Sequence, residues 1–214
     1  NLYGNARTED LWAALEATSG QPVTTIMNTW VKQTGYPVLE ITTEREGTNI
    51  ALEIAQKRFL YDLLLDSNAE DNTLWQVPIS IASKGNTANE KTLLTAKRGK
   101  VTLSANDGND IDWIKVNNGQ TGFYRVDYPS EEWERLQLAV KSFELSPTDR
   151  LGLENDAYAL MRAGVIPATR FLALLEAYNE ETDASVWSDL AVSLRGLESL
   201  IVDEPFLQQF HDFG

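Results

Sequence analysis

The spacing of apolar residues changes twice along this chain, near Tyr36 and near Ser130, and no other feature constrains the fold as much. From Tyr36-Pro37 to about Asp127 the apolar positions recur every second residue, the period of a strand with one face buried. From Ser130 onward they recur every third or fourth residue, the period of a helix. No single element serves both periods, so the chain divides into a sheet-forming part and a helix-forming part. The expected strands are Val38–Thr43, Asn49–Gln56, Trp75–Ile81, Lys91–Thr95, Val101–Leu103, Trp113–Val116 and Gly122–Tyr128; Leu60–Leu65 is ambiguous and also fits a turn of helix. Clusters of Gly, Asn and Asp separate these runs. About seven short strands in about ninety residues predict a β-sandwich.

Helical signals flank the strands on both sides. Residues 7–31 read as two short helices, with Thr8 as N-cap, Glu9 and Asp10 in the first turn, Gly20 as the stop, and Pro22 opening the second. Beyond the strands, Ser130 is expected to cap a helix through Ser142. Ser146-Pro147-Thr148-Asp149 is a start signal for one that runs to Arg162. Pro167 opens a third through Tyr178, Thr182 or Asp183 caps a fourth to about Leu200, and Pro205 starts a fifth. Its Phe206, Leu207, Phe210 and Phe213 form an apolar set with nothing after them to cover it. Short connections between successive helices predict antiparallel pairs stacked as a HEAT-like solenoid. The fold class is therefore α+β and multidomain: a helical segment at 1–31, a seven- to eight-stranded β-sandwich at 32–128, and an α-helical segment at 129–214. Residues 37–128 are expected to fold as a sandwich by themselves, with the junction at Tyr128-Pro129-Ser130.

Charge and cysteine narrow the partners. Lys and Arg number 18 against 32 Asp and Glu, a net charge of −14, of which −10 falls within 129–214. A phosphate-neutralising surface needs the opposite sign, so nucleic acid is not an expected partner, and an anionic membrane surface is disfavoured for the same reason. No apolar run approaches the ~18 residues of a membrane span. Cysteine is absent, and none of the fourteen Asn begins an Asn-x-Ser/Thr sequon, which together favour a cytoplasmic protein. The chain opens on Asn1-Leu2-Tyr3-Gly4-Asn5 without Met, as a piece of a longer polypeptide would.

Residues able to carry chemistry are scarce. Histidine occurs once, at His211, and no Gly-x-Ser-x-Gly elbow supplies a nucleophile to go with it. A zinc site needs His, Cys or carboxylates grouped around an open position, and one His without Cys does not provide it. Arg98-Gly99-Lys100-Val101 lacks the earlier Gly and following hydroxyl of a phosphate loop and reads as a hairpin turn. In Asp107-Gly108-Asn109-Asp110-Ile111-Asp112 the alternation of calcium ligands fails at Ile111. Glu180-Glu181 and Asp203-Glu204 are adjacent pairs whose side chains diverge. Trp12, Trp30, Trp75, Trp113, Trp133 and Trp187 all fall in periodic apolar patterns and are expected in the core. No catalytic, cofactor-binding or metal-binding residue is therefore nominated.

Two strings point further. The run from Ile26 to Val38 (Ile26-Met27-Asn28-Thr29-Trp30-Val31-Lys32-Gln33-Thr34-Gly35-Tyr36-Pro37-Val38) resembles the segment that leaves the catalytic domain in zinc aminopeptidases of the aminopeptidase N and puromycin-sensitive aminopeptidase family. The run from Trp113 to Val126 resembles that family's last sandwich strand. Tyr3-Gly4-Asn5-Ala6, Asp10-Leu11-Trp12, Ser19-Gly20, Gln56-Lys57-Arg58-Phe59, Asp149-Arg150-Leu151-Gly152-Leu153, Asn155-Asp156-Ala157 and Arg162-Ala163-Gly164 continue the likeness in order.

The resemblance implies a four-part parent with an N-terminal β-saddle, a thermolysin-like zinc domain, a small sandwich and a C-terminal helical bowl. Residues 1–31 would be the tail of the zinc domain, 32–128 the sandwich and 129–214 the first helices of the bowl. The family's His-Glu-x-x-His helix, its third ligand Glu, its Gly-x-Met-Glu-Asn motif and its transition-state Tyr have no matching positions here, so none is carried over. Zn2+ is implied for the parent, where it lowers the pKa of water while a Glu shuttles the proton, and none is expected on this segment. Peptides would be the parent's substrates, and the catalytic domain would pack on this segment. The alternatives are a non-enzymatic scaffold of the same architecture and an independent carbohydrate- or peptide-binding sandwich, which would show exposed aromatics on one sheet face. The expected behaviour of the 214-residue chain is no retained zinc after dialysis and no turnover of a fluorogenic aminoacyl amide; one tightly held zinc per chain with turnover would contradict the reading.

Overall fold

Alternation between Pro37 and Arg58 folds into a hairpin. Strands β1 (Pro37–Glu46) and β2 (Asn49–Arg58) pair antiparallel over their whole length, with Glu46 opposite Asn49 at the turn, where Gly47 takes the left-handed φ of 59°. The structure, a computed structural model, describes residues 4–61, 71–84, 86–105 and 111–213. The Leu60–Leu65 segment past Tyr61 lies outside them, as does most of Asp107–Asp112.

Five more strands follow among the described residues: β3 (Val77–Ser83), β4 (Asn86–Leu94), β5 (Arg98–Ser104), β6 (Ile114–Val116) and β7 (Arg125–Asp127). They form a four-stranded sheet in the order β5-β2-β1-β7 and a three-stranded sheet in the order β4-β3-β6. All pairs are antiparallel except β1 with β7, where Val38, Leu39 and Glu40 lie beside Arg125, Val126 and Asp127. Leu39, Ile41, Ile50, Leu52, Ile54 and Leu103 of the first sheet join Val77, Ile79, Ile81, Ile114 and Val116 of the second in one buried cluster. Each such side chain is worth roughly 1.5–3 kcal/mol on burial. Gln56, buried at the end of β2, fastens the approach to β3: its amide donates to the carbonyls of Trp75 (2.8 Å) and Ala96 (2.9 Å) and accepts from the Trp75 N–H (2.9 Å).

Strand positions follow the alternation, and the ends differ where a side chain intervenes. The last strand covers only Arg125–Asp127 instead of Gly122–Tyr128, because Gly122 is drawn into a loop by Asn117. Arg98-Gly99-Lys100 begins β5 rather than forming the turn before it.

Helices α1 (Thr8–Ser19) and α2 (Val23–Val31) precede the sandwich. Thr8 lies inside the first turn, not at the cap: Arg7 holds the cap position and its N–H donates to the Asp10 carboxylate at 2.9 Å. Gly20 ends α1 at φ 67°, as expected. The chain then ties α2 to the start of β3, the central strand of the second sheet, since the Trp30 indole donates to the Gln76 carbonyl (3.0 Å) and the Thr29 hydroxyl accepts from the Gln76 N–H (3.0 Å).

After the sandwich come α3 (Ser130–Lys141), α4 (Pro147–Arg162), α5 (Ala168–Leu175), a 3-10 turn (Glu176–Tyr178), α6 (Ala184–Glu198) and α7 (Leu207–Phe213). The cap of α4 is Ser146, whose hydroxyl accepts from the Asp149 N–H at 3.1 Å, and Asp183 caps α6 by accepting from Ser185 and Val186. Ser130 does not cap α3. Pro129 holds that position, and the Ser130 hydroxyl instead accepts from Arg170 at 2.6 Å. The final apolar set is covered in part: Phe210 packs against the core, while Phe206 and Phe213 stay exposed. Trp12, Trp75 and Trp133 are buried as expected, Trp30 and Trp113 are half-buried, and Trp187 is exposed, with its indole donating to the Glu181 carbonyl at 2.7 Å.

One buried ion pair fastens α4 to the start of α6. Arg150 donates to both carboxylate oxygens of Glu181, at 2.6 and 2.7 Å, and to the Leu145 carbonyl at 2.8 Å. Glu181 also accepts from the backbone of Thr182 and Asp183. The Arg150 hydrogen bonds, joined by those backbone donors, hold the Glu181 carboxyl down at about 2 against its burial. A carboxyl lowered in the fold stabilises it above the ordinary glutamate value, and that contribution is lost as pH falls toward 2. Glu181→Gln is expected to cost about 3 kcal/mol at neutral pH, because Arg150 stays buried without its counter-ion. In urea denaturation over a pH series, the wild type should converge on the variant between about pH 4.5 and 2; a constant gap across that window would refute the assignment.

Candidate functional site: the joint between sandwich and helices

Between β6 and β7 the chain winds around one buried side chain. Asn117 takes a left-handed φ of 62°, a conformation that Asn tolerates better than most residues. Its amide nitrogen donates to the Gly122 carbonyl (3.0 Å) and its oxygen accepts from the Gly122 N–H (2.8 Å), closing the loop in the manner of a miniature strand pair. A Cβ on Gly122 would stand 2.1 Å from the Tyr124 ring, so only glycine lets the ring fold back here.

Helix α4 lies against this loop. The Asp149 carboxylate accepts from the Gly119 N–H at 2.7 Å and from the Ser146 hydroxyl at 2.6 Å. One turn on, Gly152 makes room: a Cβ there would fall 1.7 Å from the Gln120 amide nitrogen. A turn further, Asp156 accepts from Arg125 (3.2 Å) and from the Val126 N–H (3.2 Å), so one carboxylate holds both side chain and backbone of β7. From below, Lys115 of β6 is 1% exposed, donates to the Val116 carbonyl at 2.9 Å and stands 4.0 Å from Asp149. The Tyr128 hydroxyl accepts from the Val116 N–H (2.9 Å), donates to its carbonyl (3.2 Å), and its ring meets Trp133 edge-on.

Burial sets the electrostatics of this joint. It pushes the Lys115 amine down, with Asp156 and Asp149 opposing, and raises the Asp156 carboxyl to about 6, with Lys115 and Arg125 opposing. Two lesser ties flank it. Arg45 of β1 donates to the buried Glu132 of α3 at 2.6 Å, and Glu144 accepts from Lys84 (2.7 Å) and the Trp113 indole (2.6 Å). Every acid of the joint is committed to a donor. What the arrangement does is hold a helix at a fixed angle to a sheet.

The residues singled out from the sequence lie elsewhere and apart. His211 is exposed and 2.7 Å from Glu198, which ties α7 to α6. Asp112 and Lys84 form a surface pair at 3.2 Å. Glu181 points to Arg150 while Glu180 faces solvent, and Asp203 and Glu204 are exposed. Among the described residues no group of three or more His, Asp or Glu is placed to hold a metal ion, and no helix is long and apolar enough to cross a membrane.

An open groove of about 670 Å³ crosses the outer face of the four-stranded sheet, but its charges neutralise one another, with Glu40 paired to Lys57 and Glu53 registered opposite Lys100. Aromatics are not arrayed on that face: the exposed Phe123 sits in the loop before β7, against Trp30 and Tyr36. Sequence reasoning passed over Lys115, Asn117, Gly152 and Asp156 as functional, although all four stand in the strings that carry the resemblance.

Comparison with known proteins covers the same residues. The family model described as ERAP1-like C-terminal domain matches residues 113–214, from β6 to the last helix, so both sides of the joint fall inside one match. Aminopeptidase M1-B of Oryza sativa subsp. japonica is 40% identical over 208 residues, 94% of this chain and 23% of that protein. Puromycin-sensitive aminopeptidase of Caenorhabditis elegans is 34% identical over 187 residues, 86% of this chain and 19% of that protein. Glutamyl aminopeptidase of Rattus norvegicus is 32% identical over 207 residues, 94% and 21% respectively. The chain thus spans about a fifth to a quarter of the length of the curated relatives it matches.

The joint bears on whether the sandwich stands alone. In a 32–128 piece, Lys115, which shares with Ala82 the face of the second sheet turned away from the first, would lose Asp149, Asp156 and the cover of α4. The piece is expected to melt below the sandwich of the whole chain, and Lys115→Met should leave its melting temperature nearly unchanged while lowering that of the whole chain, where it removes a buried counter-charge of Asp149 and Asp156. Equal effects of the substitution in both contexts, followed by circular dichroism, would show that the joint does not neutralise Lys115.

Proposed function

We infer that this chain, which belongs to the aminopeptidase family of the relatives just described, is the non-catalytic portion of a zinc-dependent aminopeptidase that removes N-terminal residues from peptides. The observation that carries this is the match to aminopeptidases across 86–95% of the chain. The relatives' names all denote one activity, and nothing in the structure favours the scaffold alternative.

In this reading residues 1–31 are the tail of the catalytic domain, 32–128 the sandwich and 129–214 the first helices of the C-terminal domain. Packing of α4 on α5 and α6 supports reading these helices as the start of a HEAT-like solenoid. The sandwich spaces the helices from the zinc domain, and the buried charges of the joint keep that spacing rigid, so that the helices wall the chamber in which a peptide lies. The donors present here do not fit zinc, since the one histidine sits on the surface beside a single carboxylate. The metal and its proton-shuttling glutamate are therefore assigned to the parent outside this chain. The catalytic domain is expected to cover Leu11, Leu15 and Val31 of α1 and α2, together with Phe123, all exposed among the described residues. A cytoplasmic location belongs to the same proposal.

Purified full-length parent, dialysed against metal-free buffer, should keep one zinc per polypeptide and release free amino acid from an unblocked peptide but not from its N-acetylated form. A parent that keeps no zinc and turns over neither peptide would overturn the enzyme reading in favour of a scaffold.

A further inference from the structure

One buried acid takes no part in the joint. Glu154, on the side of α4 that meets α6, is 0% exposed, and neither of its carboxylate oxygens has a hydrogen-bond donor at ordinary geometry. The groups that face it are mostly unsuited to a carboxylate. From α6 come the Asp189 carboxylate and the Ser193 hydroxyl. From β7 comes Arg125, whose guanidinium is engaged by Asp156. From the 3-10 turn comes Tyr178, whose hydroxyl already donates to the Arg150 carbonyl at 2.7 Å. Asp189 itself is held in place by the Asn155 amide on α4, at 2.6 Å. Two carboxylates therefore meet in a helix–helix contact, Glu154 fully buried and Asp189 half-buried, with no cation free among the described residues to neutralise them. Such a pair is stable when it holds one proton between its members, because the neutral acid becomes the missing donor.

We propose that Glu154 stays protonated in the folded chain and donates its proton to Asp189, making the contact between α4 and α6 an acid–carboxylate hydrogen bond that opens when the proton leaves. Burial, reinforced by Asp189, pushes the Glu154 carboxyl up to about 9, in keeping with this geometry. Loss of the proton places a second negative charge in the contact and drives α6 off α4. The direction follows from linkage: a carboxyl raised in the fold weakens folding as pH climbs from its ordinary value to its folded one.

Carbon-13 carboxyl NMR of the 214-residue chain tests the proposal directly. The Glu154 resonance should sit at the neutral-acid position at pH 7 and titrate above pH 8, and Asp189→Asn should bring that titration down by more than one pH unit. Glu154→Gln, an uncharged donor of the same shape, should keep α6 in place. Relative to that variant, the unfolding equilibrium constant of the wild type should rise roughly tenfold per pH unit between about pH 5 and 9. An ionised Glu154 at pH 7, or parallel pH profiles for wild type and Glu154→Gln, would overturn it. Should the variant fail to fold, the wild-type titration decides alone.

Discussion

Four ionisable residues buried on one helix govern how the rest of the molecule is arranged. Asp149, Arg150, Glu154 and Asp156 of α4 are each at most 5% exposed, and each is answered by a different part of the chain. Asp149 needs the Gly119 N–H, Arg150 needs Glu181, Glu154 faces Asp189, and Asp156 needs Arg125 and Val126. An unanswered buried charge costs several kcal/mol, more than a typical apolar contact returns. Few placements of α4 against the sandwich, the loop between β6 and β7, and α6 satisfy all four at once. The helix is thereby fixed in rotation as well as in position, which apolar packing alone specifies less sharply.

The same requirement explains how β6 and β7 persist at three residues each. Strands so short have few ladder bonds of their own. Tyr128 takes both the N–H and the carbonyl of Val116, and Asp156 takes the N–H of Val126, so helix and sheet share the work of holding them. Sandwich and helices are accordingly joined by a single buried cluster that runs from Leu39 through Trp133 to Phe171 and Leu190. For a part whose proposed role is to set the distance between a catalytic domain and a chamber wall, a joint that cannot rotate is the property that matters. A surface ion pair such as Lys84–Glu144 adds little to it, being screened by solvent and salt.

Local signals were legible wherever a residue acts on its own backbone. Ser146 and Asp183 at caps, Gly20 at a helix stop and the alternation of β2 and β3 are cases in which the reason for the residue lies within a few positions of it. Signals failed where a distant group competes for the same atom. Ser130 looks like a cap, but Arg170, forty residues away, takes its hydroxyl. Gly122–Tyr124 alternates like a strand, but the Asn117 side chain replaces the ladder. Trp187 has a core spacing, yet its indole reaches the Glu181 carbonyl and its ring remains in solvent.

The change of apolar period by itself determined that a sheet part precedes a helical part, because side-chain direction is a property of the local backbone. The scarcity of His and the absence of Cys likewise determined how little metal chemistry these residues could support, since ligands must be present before they can be arranged. Only the tertiary structure decided that the strings around Asn117 and Asp156 are two halves of one joint, and that Lys115 and Glu154 are buried charges with opposite fates. Gly119 and Asp149 are thirty residues apart, and a pairing of that kind is set by how whole elements pack, which no local pattern encodes.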